Sequence, residues 1–144
     1  EFTREAFDAI LDAAGRSQLK GVLRDQRIIA GIGNAYSDEI LHAAKMSPFT
    51  PASSLDEVGR QLLYDQIGTV LADAIERCQG LPPDKLKDDK RQAMRVHGRA
   101  GEQCAVCGTT IAQVSFADSS LQYCPGCQTG GKVLADRRMS KLLR

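Results

Sequence analysis

The sequence has no apolar run long enough to span a bilayer, no internal repeat and no low-complexity tract. These absences exclude a transmembrane helix and a repeat architecture, so we expect no membrane partner. Within the 144 residues, nothing that resembles an apolar secretion signal precedes the cysteines. With 42% hydrophobic and 26% charged residues, the chain can form one core and a small appendage.

The net charge is only +1, but it is divided unevenly along the chain. Residues 1–80 hold 8 Lys and Arg against 12 Asp and Glu, a balance of −4, whereas residues 81–144 hold 11 against 6, a balance of +5. A basic half is typical of a surface that faces a polyanion, but it is also compatible with an ordinary solvated surface. Charge alone therefore leaves both interpretations open.

Four of the five cysteines form two CxxC pairs, with sixteen residues between the pairs. This spacing is typical of a tetrahedral zinc site. We predict one structural Zn²⁺ bound by Cys104, Cys107, Cys124 and Cys127, because four thiolates leave no open position for water or substrate. Two disulfides would leave Cys78 unpaired, and a redox CxxC needs a βαβ context that this region lacks. Cys78 itself lies on an apolar stripe and is predicted to be a core residue.

The first half of the sequence predicts helices, and the region around the cysteines predicts short strands. Thr3 and Gly15 are the expected ends of a first helix, and Ser53 or Ser54 is expected to open a long helix. Strands are predicted at 93–97, 111–116 and 121–123. The predicted fold is mainly α, a helix-two-turns-helix bundle followed by a small zinc-stapled β-hairpin finger. The predicted boundaries are a helical domain at 1–80, a linker at 81–92, a zinc finger at 93–128 and a basic tail at 129–144.

A glycine-rich turn, Gly31-Ile32-Gly33-Asn34, precedes a predicted helix. Its glycines let the backbone approach a ligand closely, the helix N-terminus favours an anion, and the Asn34 amide can donate a hydrogen bond. These features predict a phosphate site, although glycines often occupy tight turns for backbone reasons alone.

The run from Leu19 to Asn34, with Asp-Glu-Ile-Leu at 38–41, Val-His-Gly-Arg at 96–99 and the two CxxC pairs, resembles the C-terminal half of the formamidopyrimidine-DNA glycosylase and endonuclease VIII family. The resemblance covers roughly residues 16–128. It implies a helix-two-turns-helix module and a zinc finger that jointly hold damaged double-stranded DNA during base excision repair, in the cytoplasm on the nucleoid. By this resemblance, Lys20 and Asn34 contact phosphates around the lesion. The full set of predicted DNA-binding residues is Lys20, Gly31, Gly33, Asn34, Arg95 and Arg99.

The family's catalytic groups have no counterpart here. Family members attack the sugar with an N-terminal proline, whereas the five prolines of this chain are internal, so no catalytic residue is predicted. Three alternatives stay open: the DNA-binding portion of a glycosylase, such as a truncated member of actinobacterial type; a stand-alone, non-catalytic DNA or damage reader; and a protein–protein adaptor. His42 is predicted to be a partly buried neutral histidine, and His97 a packing residue in a strand.

Overall fold

The computed structural model describes residues 2–29, 32–79, 81–85, 93–116 and 119–134. Four helices come first, followed by a hairpin and a short fifth helix. They are α1 (Arg4–Ala14), α2 (Leu19–Arg24), α3 (Gly33–Ala44), α4 (Glu57–Cys78), β1 (Ala112–Ser115), β2 (Ser120–Tyr123) and α5 (Pro125–Gln128). We call α1–α4 with their connections, residues 2–79, the helical unit, and residues 93–128 the finger. The mainly helical fold with a small antiparallel hairpin agrees with the sequence prediction.

Helix α1 begins and ends where the sequence predicts. The hydroxyl oxygen of Thr3 accepts a hydrogen bond from the Ala6 N–H at 3.1 Å, which satisfies one of the free N–H groups of the first turn. Gly15 ends the helix with a φ of 57°, in the left-handed region that favours glycine.

The predicted start of the long helix is wrong by a few residues. Ser53 and Ser54 lie in a single 3-10 turn, where the Ser54 hydroxyl donates to the carbonyl oxygen of Pro51 at 2.7 Å. Helix α4 begins instead after Asp56, whose carboxylate accepts a hydrogen bond from the Gly59 N–H at 2.8 Å. A carboxylate at this position also suits the positive end of the helix dipole.

An apolar core lies between the four helices. Within the described ranges, no helix combines the length and apolarity required to cross a membrane. Tyr64 of α4 stacks on Phe2, and Phe2 meets Phe7 edge to face, so the segment before α1 is also packed. The buried residues of this core are Phe7, Leu11, Leu19, Leu23, Ile29, Ile32, Ile40, Leu41, Ala44, Ala52, Leu63 and Ile67.

The finger contains a two-stranded antiparallel sheet in which Ala112 lies opposite Tyr123 and Ser115 opposite Ser120. Two of the three predicted strands are therefore confirmed. The strand predicted at 93–97 is wrong, because residues 95–97 form a bend and the start of a turn. Two apolar clusters pack around the hairpin: Val96, Cys104, Ile111 and Cys124 form the first, and Val114, Leu121 and Tyr123 form the second.

Several predicted features lie outside the described residues. These are Gly31, the side chain of Cys78, residues 86–92 of the predicted linker and residues 135–144 of the predicted basic tail.

Candidate functional site

Helix α3 directs a row of polar side chains at the finger. Asn34, Asp38 and His42 are spaced by four residues and so lie on one helical face, and Glu39 is beside them. Three of these side chains are buried, with exposed fractions of 1% for Asp38, 8% for Glu39 and 4% for His42. Buried polar groups need partners, and the finger supplies most of them. We call this set of contacts the junction.

The carboxylate of Glu39 binds the first segment of the finger. Its Oε1 accepts a hydrogen bond from the Arg95 N–H at 2.7 Å, and its Oε2 accepts from the N–H groups of Val96 and His97, both at 2.9 Å. Three backbone donors are thus satisfied by one carboxylate, in charge-assisted bonds. This is why residues 95–97 do not pair as a strand.

Asp38 joins both units at once. Its Oδ1 is 2.6 Å from Nζ of Lys20, and its Oδ2 accepts from the Gln122 N–H at 3.2 Å and lies 2.8 Å from Nδ1 of His97. His97 is therefore a polar junction residue in a turn, not a strand residue that packs.

The ammonium group of Lys20 points into the protein. It also donates to the carbonyl oxygen of Asn34 at 2.8 Å and to the hydroxyl of Ser37 at 2.7 Å, so its three protons all have acceptors. The residue is 3% exposed, and burial lowers the pKa of the ammonium while the Asp38 carboxylate opposes this shift.

The N-terminus of α3 forms a narrow mouth. Gly33 has a φ of 67°, and a Cβ at this position would lie 2.9 Å from Nε2 of Gln26, so the turn requires glycine twice over. The N-cap residue, Ile32, has no side-chain acceptor for the first helical N–H groups. Asn34 donates from Nδ2 to the carbonyl oxygen of Ser120 at 3.2 Å, and its buried Oδ1 has no hydrogen-bond partner in the part of the chain that is described.

The four predicted cysteine ligands come together. Sγ of Cys104 lies 3.9 Å from Sγ of Cys127, and Sγ of Cys107 lies 3.3 Å from Sγ of Cys124. A tetrahedral ion with metal–sulfur bonds of about 2.3 Å needs sulfurs about 3.8 Å apart, so this donor set fits zinc.

The turns that carry the cysteines are shaped for thiolates. The N–H groups of Val106 and Cys127 each lie 3.4 Å from a cysteine sulfur, that of Cys104 and that of Cys124 respectively. At Gly126, a Cβ would lie 2.3 Å from Oγ1 of Thr109 and 2.8 Å from Sγ of Cys107. No side chain fits at that position.

The local environment shifts the pKa values of the cysteines in opposite directions. Hydrogen bonds from Thr109 lower the pKa of the exposed Cys107 thiol to about 6. Burial raises the pKa of Cys124 and of Cys127. A metal ion must therefore displace protons mainly from the buried sulfurs.

A fifth donor reaches the cysteines from the helical unit. Nε2 of His42 lies 3.4 Å from Sγ of Cys104, and the donor atoms of His42, Cys104, Cys124 and Cys127 all lie within 4.8 Å of one another. Burial lowers the pKa of His42, which favours the neutral imidazole that the sequence predicts. Its position beside the cysteines was not predicted. The spacing of Asn34, Asp38 and His42 on α3 is the signal that could have revealed it.

The two predicted arginines occupy different environments. Arg95 is exposed. Arg99 donates from Nε to the carbonyl oxygen of Met94 at 2.6 Å and pairs with Glu102 at 3.0 Å. At the tip of the hairpin, Arg24 of α2 donates to the hydroxyl of Ser119 at 2.6 Å. Cationic groups thus flank the junction on both units.

Two protein families match this chain. Residues 1–82 match the formamidopyrimidine-DNA glycosylase H2TH domain, and residues 101–130 match the zinc finger found in FPG and IleRS. An uncharacterized formamidopyrimidine-DNA glycosylase-like protein of Mycobacterium tuberculosis is 54% identical over 132 residues, which are 92% of this chain and 84% of that protein. The formamidopyrimidine-DNA glycosylase of Thermus thermophilus is 38% identical over 78% of this chain but only 45% of its own length.

Solved structures show the same similarity. Lactococcus lactis Fpg in complex with DNA containing an abasic site has a TM-score of 0.74 and 30% identity, over 88% of this chain and 48% of that chain. The MutM (FPG) protein of Thermus thermophilus has a TM-score of 0.74 and 35% identity, over 88% and 50%. The chain thus spans about half the length of these proteins.

Proposed function

The chain belongs to the formamidopyrimidine-DNA glycosylase family, and from this premise we propose that it holds damaged duplex DNA in base excision repair, with the α3 mouth and the finger as one surface. The titles of several similar solved structures name complexes with lesion-containing DNA, which supports this partner. In this proposal the 144 residues bind DNA and lack the family's proline nucleophile.

The observation that carries the proposal is the double role of α3. Its first turn provides the glycine-lined mouth at Gly33 and Asn34, and its middle anchors the finger through Asp38 and Glu39. Two phosphate-binding elements on one rigid helix keep a constant spacing, which binding to a regular duplex requires. Exposed Arg95 would add a phosphate contact beside the finger.

For Lys20, the buried ion pair favours an indirect role in the proposed interface. Its ammonium holds the carbonyl of Asn34 and the carboxylate of Asp38, so it positions the first turn of α3. We propose that Asn34 contacts phosphate with the second N–H of its amide, because the first is held by Ser120. Arg99 can extend the basic surface once its bond to Glu102 opens.

We further propose one structural zinc ion, held by Cys104, Cys107, Cys124 and Cys127. When bound, the ion supplies cross-links between the two cysteine turns and offers no open position for a reaction. The finger has too little apolar core of its own to fold without such a cross-link.

The mouth is tested by Asn34→Ala in a gel-shift titration of a duplex that carries an abasic-site analogue. The expected result is at least about tenfold weaker binding, or about 1.4 kcal/mol, with unchanged circular dichroism. Ser119→Ala is the matched control, because it removes the contact with Arg24 at the same junction but leaves the mouth intact. Equal binding by wild type and Asn34→Ala would contradict the phosphate role.

The catalytic part of the proposal is tested by borohydride trapping on DNA with an abasic site. The 144-residue polypeptide is expected to give no covalent adduct, because the reaction needs an amine at the reacting sugar. A stable adduct would show that the chain carries a nucleophile of its own.

A second candidate is a stand-alone, non-catalytic reader of DNA or of damage. It is favoured by the Mycobacterium tuberculosis relative, 84% of whose length this chain covers. An immunoblot of native cells with an antibody against this chain separates the candidates. A band near 15.6 kDa supports the stand-alone reader, and a band of about twice that mass supports a full glycosylase.

A further inference from the structure

We infer that His42 is a reserve ligand of the finger's metal ion, able to replace Cys107 and so to hold the ion between the finger and the helical unit. The inference rests on the proposed zinc binding by the cysteines. It adds a donor that the spacing of the cysteines does not reveal, since His42 precedes the first of them by 62 residues.

The distances suit a mixed site of three sulfurs and one nitrogen. The donor atoms of His42, Cys104, Cys124 and Cys127 lie within 4.8 Å of one another, and Nε2 is 3.4 Å from Sγ of Cys104. With metal–sulfur bonds of about 2.3 Å and metal–nitrogen bonds of about 2.0–2.1 Å, a tetrahedral site needs nitrogen and sulfur about 3.6 Å apart. The described residues therefore provide five donors for an ion that binds four.

Cys107 is the ligand that His42 would replace. It is the exposed member of the cluster, whereas Cys104 and Cys124 are buried and Cys127 is half-buried. An exposed ligand is the first one accessible to solvent and to reagents. The four-donor group that includes His42 omits Cys107 and retains the other three cysteines.

The ring of His42 has the freedom in its protonation that this role needs. Its Nδ1 is buried and has no hydrogen-bond partner among the described residues, so no neighbour determines which nitrogen carries the proton. In the four-cysteine site, an Nε2–H can donate to Sγ of Cys104. To bind the metal through Nε2, the neutral ring carries its proton on Nδ1 instead, with no net change in charge.

The consequence is a metal site that tolerates the loss of one cysteine. Because α3 carries His42, the replacement site would also tie the ion directly to the helical unit. Cys104, by contrast, belongs to both donor sets, so its loss leaves only three cysteines and a nitrogen that must shift to reach the ion.

The test is zinc content and affinity in Cys107→Ser, His42→Phe and the double variant, with Cys104→Ser as a control. Phe keeps a buried ring of similar size without nitrogen. We expect one zinc in wild type, His42→Phe and Cys107→Ser, and weaker binding in the double variant than in Cys107→Ser. The difference should exceed the about 10–100-fold effect typical of outer-shell partners, because a direct ligand is lost. With Co²⁺ as the probe, the d–d bands of Cys107→Ser should show nitrogen replacing one sulfur.

The outcomes separate this inference from the zinc proposal itself. Wild type without zinc would overturn both. Wild type with zinc, together with equal affinities in Cys107→Ser and the double variant, would overturn only the role of His42. An all-sulfur cobalt spectrum in Cys107→Ser would do the same. Circular dichroism of each variant checks that the helices remain folded.

Discussion

The helical unit and the finger are held together by different forces. The helical unit buries twelve apolar residues in one core, and each large one contributes about 1.5–3 kcal/mol. The finger has two small clusters, and one of them includes the cysteines themselves. The helical unit can therefore fold on apolar burial alone, whereas the finger depends on a metal and on the polar junction with α3.

This difference explains the unusual composition of α3. A helix that packed only within the helical unit would bury apolar side chains, but α3 buries Asp38, Glu39 and His42 as well. These groups are satisfied by finger backbone and sulfur atoms, so the junction specifies position more than it adds apolar stability. Removing one partner leaves the other buried and unsatisfied, which makes the junction sensitive to single substitutions.

The largest expected effect is that of zinc removal. Chelation should unfold the finger and leave the helical unit folded, because structural zinc contributes about 10–16 kcal/mol in small zinc-finger peptides. Limited proteolysis should then cut between residues 93 and 134 and spare residues 4–78. The same fragment pattern with and without chelator would contradict the comparison.

The next effect is that of Asp38→Ala, which leaves the ammonium of Lys20 buried without its carboxylate. Breaking a buried pair in this way costs about 3–5 kcal/mol. Urea denaturation should show that loss, and Lys20→Met in the same background should recover part of it. A double variant no more stable than Asp38→Ala would show that the unpaired charge is not the cause.

Glu39→Gln should have a smaller effect, of about 1.5–3 kcal/mol, because it weakens charge-assisted bonds to three backbone N–H groups. Glu57→Gln is the matched control, since its side chain is 79% exposed and pairs only with Arg4 at the surface. Thermal unfolding should shift for the first variant and hardly at all for the second. Equal shifts would mean that the Glu39 contacts hold the finger no better than a surface pair.

A pair of glycine substitutions gives the smallest effects and opposite signs. Gly126→Ala should destabilise the finger by about 1–3 kcal/mol, because its Cβ meets Thr109 and Cys107. Gly21→Ala in α2 has open space and should stabilise the helical unit by about 0.5–1 kcal/mol. Thermal melts of both zinc-loaded variants check the signs. A stable Gly126→Ala would show that the cysteine turns can be repacked.

Local signals in the sequence predict the local features well. The cap at Thr3, the end of α1 at Gly15 and the two hairpin strands follow from short-range rules, and the structure confirms them. The strand at 93–97 fails because Glu39, far away in the sequence, takes the N–H groups that a neighbouring strand would have taken. Such tertiary competition leaves no local signal.

The candidate site shows the same division. The CxxC spacing predicts which four cysteines come together, because each pair is a local turn. The position of His42 beside Cys104 depends on how α3 docks on the finger, which no short window of sequence contains. The polar face of α3 was the available signal, since buried polar residues at helical spacing need a polar partner.

The most direct test of the account is the affinity of zinc-loaded and zinc-stripped protein for a fluorescent duplex with an abasic-site analogue, measured by anisotropy over a range of salt concentrations. The account predicts that the loaded protein binds, that the logarithm of its affinity falls linearly with the logarithm of the salt concentration, and that stripping weakens binding at least about tenfold. Equal affinity and equal salt dependence of the two forms would contradict the claim that α3 and the finger act as one DNA-binding surface.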